Sequence, residues 1–368
     1  MKIGLITIYT VPNYGSVLQA FATQKVIENL GHECVILNYL YPNEWQYNHG
    51  VKRPSVVRRI IKILGLKPIH RKEKKLNTFR QRFFNLSRKY NSLKDLRNEH
   101  WDGYDAFIVG SDQVWNTNYL KGDKTFLLSF VPNSIPRISF SSSFAQSKIP
   151  QEYVSVYKDE LLKYHALSVR EQNGVNILNN QLGINKPVQI CLDPSLLLSK
   201  EKWLNIVPRS SFKSKRPYIL VYMLKYAFDP QPYFWDVVKH FKKKMDADVI
   251  VLMGNESHAG ITMIDATDSS IPKFIDLFAN AAIVITSSFH GTAFAINFGR
   301  PLVSIVPNND SDDRQLNLLR NVGAETCAVR KGTNIDSIKY EYDKEKVNKQ
   351  LSALRVESIN WLKNNLQA

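Results

Sequence analysis

The stretch AIVITSSFHGTAFAINFGRPLVSIV, residues 282–306, decides how the chain is read. Ile283, Val284 and Ile285 are β-branched and apolar, the pattern of a strand buried on both faces. Thr286, Ser287 and Ser288 form a small polar turn, and Phe289, His290 and Gly291 follow it. The spacing then predicts a helix over Thr292–Phe298, stopped by Gly299 and Pro301, with Leu302–Val306 as the next strand. In such a unit the turn lies at the carboxyl end of a parallel strand, where open α/β sheets hold ligands. His290 stands where the helix begins. Free N–H groups and the positive end of the helix dipole converge there, so an anion is the expected guest. The alternative is a histidine that only packs or caps the turn.

Working outward, the 368 residues are 44% hydrophobic, enough for two ordinary domains. Cys34, Cys191 and Cys327 lie far apart with no CxxC or Cys/His spacing, which argues against both a metal site and a disulfide framework. The opening MKIGLITIYT reads as a first strand and not as a signal peptide. No run of 18 apolar residues occurs. The expectation is a cytoplasmic protein, soluble or peripheral on the inner face of the membrane.

The net charge of +16 is concentrated rather than spread. Between Lys52 and Arg82 stand 12 lysines and arginines against one acid, Glu73, a net +11. A uniform nucleic-acid surface is therefore not expected. Within this segment SVVRRIIKILGL sets Val56, Val57, Ile60, Ile61 and Leu64 on one side at helical spacing, with Arg58, Arg59 and Lys62 beside or opposite them. Two readings stand: an amphipathic helix on an anionic membrane through residues 52–82, or a helical insertion packed on its domain with a solvated basic face.

In chain order, a strand at Lys2–Tyr9, a helix from Gly15 to near Gly31 and a strand at His32–Asn38 make a βαβ unit. Its turn carries Asn13, Tyr14, Gly15 and Ser16, with no GxGxxG. A strand at Asp105–Val109 delivers Ser111, Asp112 and Gln113 to the carboxyl edge, followed by Trp115 and Asn116. An acid with an amide and an indole suits a sugar, which needs directional partners and an aromatic wall. Asp112 as a simple turn cap is the alternative. Strands at Ile138–Ala145 and through HALSVRE follow, the latter ending at Arg170 and Glu171; an arginine there suits forked bonds to carboxylate or phosphate. Asp193 and Pro194 turn the chain out of this domain. The polar stretch 199–217 marks the boundary, and strand–helix alternation restarts beyond it. The expected plan is a domain over 1–200 with a basic helical insertion at about 45–100, a second over 201–335, and a helix in 336–368 that crosses back to the first.

Taken together, NYGSVLQAFA, IVGSDQVWN, SVRE, LDPSLLL and ITSSFHGTAFAINFGRP resemble the polysaccharide pyruvyl transferase family. The resemblance implies an α/β protein of two Rossmann-like, glycosyltransferase-B-like domains, with the donor held by the second. Phosphoenolpyruvate is the implied donor, transferred as a pyruvate ketal to a sugar of a capsule, exopolysaccharide or lipid-linked precursor, with no further cofactor and no metal. Donor residues carried over are Arg170 and His290, with Ser288, Phe289, Gly291 and Thr292 around the latter. Ser288 stands where the family often has arginine; Arg300 and Arg314 are the candidates to compensate. His290 is the expected acid and Asp112 the expected base. The expected acceptor groups are Asn13, Tyr14, Gly15, Ser111, Asp112, Trp115 and Asn116. The rival is a nucleotide-sugar glycosyltransferase of the same architecture, which commonly needs a carboxylate on the helix after the donor loop. Thr292–Gly299 has none.

Overall fold

A computed structural model of the chain describes all residues except 56–66, 209, 211, 226–227, 255–259, 310–311 and 368. The chain divides into two compact units: residues 1–59, 80–197 and 354–368 form the first, and residues 60–79 and 198–353 the second.

The first unit is built on seven strands: β1 (Lys2–Ile6), β2 (Glu33–Tyr39), β3 (Leu86–Tyr90), β4 (Ala106–Val109), β5 (Arg137–Ser142), β6 (Ala166–Val169) and β7 (Val188–Ile190). Their order is β3-β2-β1-β4-β5-β6-β7, and every pairing is parallel. Leu5 lies opposite Ile36 on one side and Ile108 on the other. The central strands carry almost unbroken apolar runs because helices cover both faces of such a sheet. β1 stops three residues before the expected Tyr9: the Thr7 hydroxyl donates to the Ser111 carbonyl at 2.8 Å and ties the chain to the next loop instead.

Between β5 and β6 the register slips, and serine side chains splice the break. Ser139 Oγ donates to the Ser168 carbonyl at 3.0 Å, while Ser168 Oγ donates to the Ser139 carbonyl at 2.9 Å and accepts from Ser141 N–H. These hydroxyls satisfy main-chain groups that the interrupted ladder would otherwise strand in a buried place.

The second unit repeats the plan with six strands: β8 (Tyr218–Tyr222), β9 (Asp248–Met253), β10 (Ile264–Asp265), β11 (Ile283–Thr286), β12 (Leu302–Val306) and β13 (Ala328–Arg330). Their order is β10-β9-β8-β11-β12-β13, again all parallel. The helix Ile271–Asn280 that feeds β11 is started by Ser270, whose side chain accepts from Lys273 N–H, with Pro272 in the first turn.

In each sheet the strand order runs outward from a central pair, β1 and β4 or β8 and β11, and reverses between them. That reversal is the switch point at which doubly wound sheets open a crevice for ligands.

The basic stretch holds more structure than its charge suggests. A helix spans Pro68–Phe83 and β3 follows it. Sequence periodicity passes over β3 because LSRKY is an edge strand with Arg88 and Lys89 exposed, so no apolar alternation marks it. Several of the basic groups serve the fold: Arg71 and Lys75 pair with Asp268 at 2.9 and 3.3 Å, Lys72 is buried against Met253, and Arg80 donates to the Val11 carbonyl at 2.8 Å. The SVVRRIIKILGL reading, with Arg58, Arg59 and Lys62, falls on residues 56–66 and lies outside the described residues. Among the described residues no helix is long and apolar enough to cross a membrane. The last helix, Lys344–Gln367, begins in the second unit and continues into the first, the division falling between Ala353 and Leu354.

Candidate functional site

At the first switch point a charged cluster is built from four loops. Asp112 follows β4, Arg170 and Glu171 follow β6, Asp193 follows β7, and Ser16 opens the helix Tyr14–Asn29 after β1. Arg170 lies at the centre with a side chain only 1% exposed. Its Nη1 meets Asp193 Oδ2 at 2.6 Å, its Nε lies 3.6 Å from Glu171 Oε2, and its Nη2 lies 3.9 Å from Asp112 Oδ1. The carboxylates are themselves held. Asp193 accepts from Ser111 Oγ at 2.8 Å and from Ser195 Oγ at 2.7 Å; Glu171 accepts from Ser143 Oγ at 2.8 Å and from Phe144 N–H at 3.1 Å. Asp112 accepts from Ser16 Oγ at 2.5 Å and sits at φ 74°, a left-handed conformation that aspartate tolerates better than most non-glycine residues.

One guanidinium here faces three carboxylates. Arg170, expected as a fork for the donor anion, is enclosed here and faces the protein's own acids. Glu171 and Asp193, which sequence reading left as a strand end and a turn, are its partners. The signal was available in SVRE, where charges directly follow the buried strand β6; Asp193 stands three residues beyond the half-buried β7.

The other residues expected around the acceptor divide. Ser111 joins the cluster. Asn13 and Asn116 are helix caps, accepting from Gly15 N–H at 2.8 Å and Asn118 N–H at 2.9 Å. Gly15 is buried in the first turn of its helix. Tyr14 is fully buried, and so is Trp115, whose indole donates to the Phe126 carbonyl and whose ring packs on Phe144 and Tyr164. The aromatic wall expected at Trp115 is thus a core residue: the indole N–H found a carbonyl inside, so the ring had no reason to stay at the surface.

The second switch point carries hydroxyls and a helix terminus in place of charges. The Thr286 hydroxyl donates to the Tyr222 carbonyl at 2.7 Å, and Ser287 Oγ both accepts from Leu224 N–H at 2.9 Å and donates to its carbonyl at 2.7 Å. These bonds bridge the ends of β8 and β11. The helix begins at Phe289, three residues earlier than the sequence predicts, because Ser288 caps it by accepting from Gly291 N–H. His290 is its second residue and 7% exposed. Gly291 cannot be larger: a Cβ there would lie 2.2 Å from Thr286 Oγ1. Behind it Thr292 Oγ1 and Ser304 Oγ are 2.8 Å apart, and Gln315 Nε2 donates to Ser304 at 2.7 Å.

Of the two arginines expected to compensate for Ser288, Arg314 opens the helix Arg314–Asn321 after β12 and pairs with Asp312, Nε to Oδ1 at 2.7 Å. Arg300 points the other way. It precedes β12 and reaches toward the Ala281 carbonyl before β11, at the amino edge of the sheet. The helix Phe289–Asn297 carries no carboxylate. Among the described residues no group of three or more His, Cys, Asp or Glu side chains could hold a metal ion.

The family profile described as polysaccharide pyruvyl transferase matches residues 13–309, which includes both switch points. No curated protein matches the sequence. Among solved structures, Medicago truncatula UGT71G1 complexed with UDP-glucose is similar over 100% of this chain and 98% of its own, at 10% identity and a TM-score of 0.50. A Listeria monocytogenes protein assigned as a UDP-N-acetylglucosamine 2-epimerase is similar over 98% and 90%, at 12% identity and a TM-score of 0.50. At such identities the likeness is one of fold, a glycosyltransferase-B-like pair of parallel-sheet α/β domains.

Proposed function

Because the chain belongs to the polysaccharide pyruvyl transferase family, and is in that sense a transferase, we propose that it moves the enolpyruvyl group of phosphoenolpyruvate onto a sugar as a pyruvate ketal. The observation that carries this reading is the opposite character of the two switch points. The second offers the positive end of a helix dipole, a histidine and no carboxylate on its helix, which favours an anionic donor. The first sets three carboxylates around one arginine, which disfavours an anion and suits a neutral polyol.

In the proposed chemistry the helix terminus at Ser288, Phe289, His290, Gly291 and Thr292 holds the phosphate and carboxylate of the donor. A proton delivered from His290 to the methylene carbon makes it a methyl group and leaves the neighbouring carbon electron-poor. One sugar hydroxyl adds to that carbon and gives its proton to Asp112, which Ser16 and Gln113 N–H hold in place. A second hydroxyl then displaces inorganic phosphate, which departs with the second proton, and the ketal closes. Acid and base roles of this kind are each worth about 10²–10⁴ in rate.

The acceptor we propose is a sugar on a lipid diphosphate or a growing surface polysaccharide. The basic stretch 52–82 would hold the protein near an anionic membrane, and neutralising Arg58, Arg59 and Lys62 would then abolish liposome binding.

Thermal stabilisation tests the donor assignment. Phosphoenolpyruvate raises the melting temperature of the wild type, while a panel of nucleotide sugars does not, and His290→Ala loses turnover by about 10²–10⁴. A shift with a nucleotide sugar alone transfers the protein to the glycosyltransferase reading.

A further inference from the structure

Few large apolar side chains of the described residues are exposed, and two of them are aromatics on loops at the carboxyl edge of the first sheet. Trp45 and Tyr119 are each 36% exposed. Trp45 belongs to the short helix Glu44–Asn48 after β2, and Tyr119 to the short helix Thr117–Leu120 after β4. These strands flank β1 in the sheet, so their loops meet over the end of β1. Direct bonds join them: Trp45 Nε1 donates to the Lys121 carbonyl at 3.1 Å, and the Tyr41 hydroxyl donates to the Tyr119 carbonyl at 3.4 Å.

The indole is fixed as well as exposed. His49 stacks on one face, with ring centroids 4.0 Å apart and planes 18° apart, and His49 Nδ1 is itself 2.8 Å from the Trp45 carbonyl. The helix beneath is locked by a capping box between Asn43 and Gln46, and Gln46 donates to buried Asp123 at 2.9 Å. A ring with one face covered and its N–H end anchored presents its other face and outer edge to solvent. Such a surface is ready before any ligand arrives, so little side-chain freedom is lost on binding.

We propose that Trp45 and Tyr119 form an aromatic platform on which a sugar ring of the acceptor stacks. A pyranose has an apolar C–H face the size of one aromatic ring and a rim of hydroxyls, which matches the fixed, exposed indole with a second exposed aromatic on the adjoining loop. A protein partner would ask for a contiguous apolar patch of a few hundred Å², and two aromatic side chains, each 36% exposed, do not make one. The platform also supplies, a few residues from Trp115, the wall that Trp115 itself cannot provide.

The proposal rests on the pyruvyl-transfer reading for the word acceptor, and the experiment separates the two. Saturation-transfer NMR with the methyl glycosides of glucose, galactose, mannose and N-acetylglucosamine is run on the wild type, Trp45→Ala, Trp45→Phe and Tyr119→Ala. At least one glycoside binds the wild type, about ten-fold more weakly to Trp45→Ala and with intermediate strength to Trp45→Phe, while every variant keeps the wild-type melting temperature shift with phosphoenolpyruvate. Equal binding by wild type and Trp45→Ala overturns the platform, as does the absence of saturation transfer to any glycoside. A Trp45-dependent dimer in sedimentation overturns it in favour of a second copy. Glycoside binding at Trp45 without any phosphoenolpyruvate shift leaves the platform standing and removes the donor reading.

Discussion

The two switch points occupy equivalent places in two sheets of the same strand order, yet they solve the problem of a polar edge in opposite ways. The first gathers full charges, one arginine and three carboxylates, and buries them together. The second uses hydroxyls, one amide and a helix end, and leaves its charge as a fraction spread over N–H groups. Equal topology thus fixes where a ligand edge lies and says nothing about what it holds. The side chains that follow each strand decide that.

The comparison breaks most sharply at Arg170. Replacing it by alanine leaves Asp193, Glu171 and Asp112 buried around an absent cation, at a cost of about 3–5 kcal/mol. Urea denaturation measures it; a loss below about 1 kcal/mol would mean that the cluster is not held by this charge.

Lys72 sharpens the comparison from the other side, since it lies against the last residue of β9 at the second edge. Burial pushes its ammonium down to about 8. An unfolded lysine titrates near about 10.4, so between those values the unfolded chain binds more protons and stability rises with pH. The rise is on the order of 3 kcal/mol from pH 7 to above 10. Lys72→Met removes that slope and is the more stable protein at pH 7. A wild-type curve as flat as that of the variant would contradict the burial.

Gly291→Ala tests how closely the second edge is packed. The added carbon meets Thr286 Oγ1 and Cβ at 2.2 and 2.9 Å, so helix or strand must move, at about 1–3 kcal/mol. Ser288→Ala has the smallest expected effect. Its capping bond is long, 3.4 Å, and the loss falls at or below about 1 kcal/mol.

How much of this was legible depended on whether a signal was local. The β11 unit could be read from Ile283 to Val306 because a fully buried strand, a polar turn and a Gly-Pro stop lie within one window. Only the helix start moved, because Ser288 is a good cap. β3 was invisible, since an edge strand need not alternate. Arg170, Glu171 and Asp193 were each conspicuous, but their mutual pairing joins residues up to 23 apart through sheet order, which no window contains. Trp115 misled for a related reason. An indole beside Asp112 in sequence suggests a site, whereas the three-residue step from acid to ring turns the ring into the core.

The borders of the two sheets have a further consequence for how the protein behaves in bulk. β7, β10 and β13 are two or three residues long, and β3, the longest border, carries Arg88 and Lys89 outward. A strand from a neighbouring molecule that docked on any of them would run out of main-chain partners after a few residues or meet like charge. Concentrated solutions of this basic protein should therefore resist fibril growth, and any loss of colloidal stability should begin with opening of a unit rather than with stacking of intact ones.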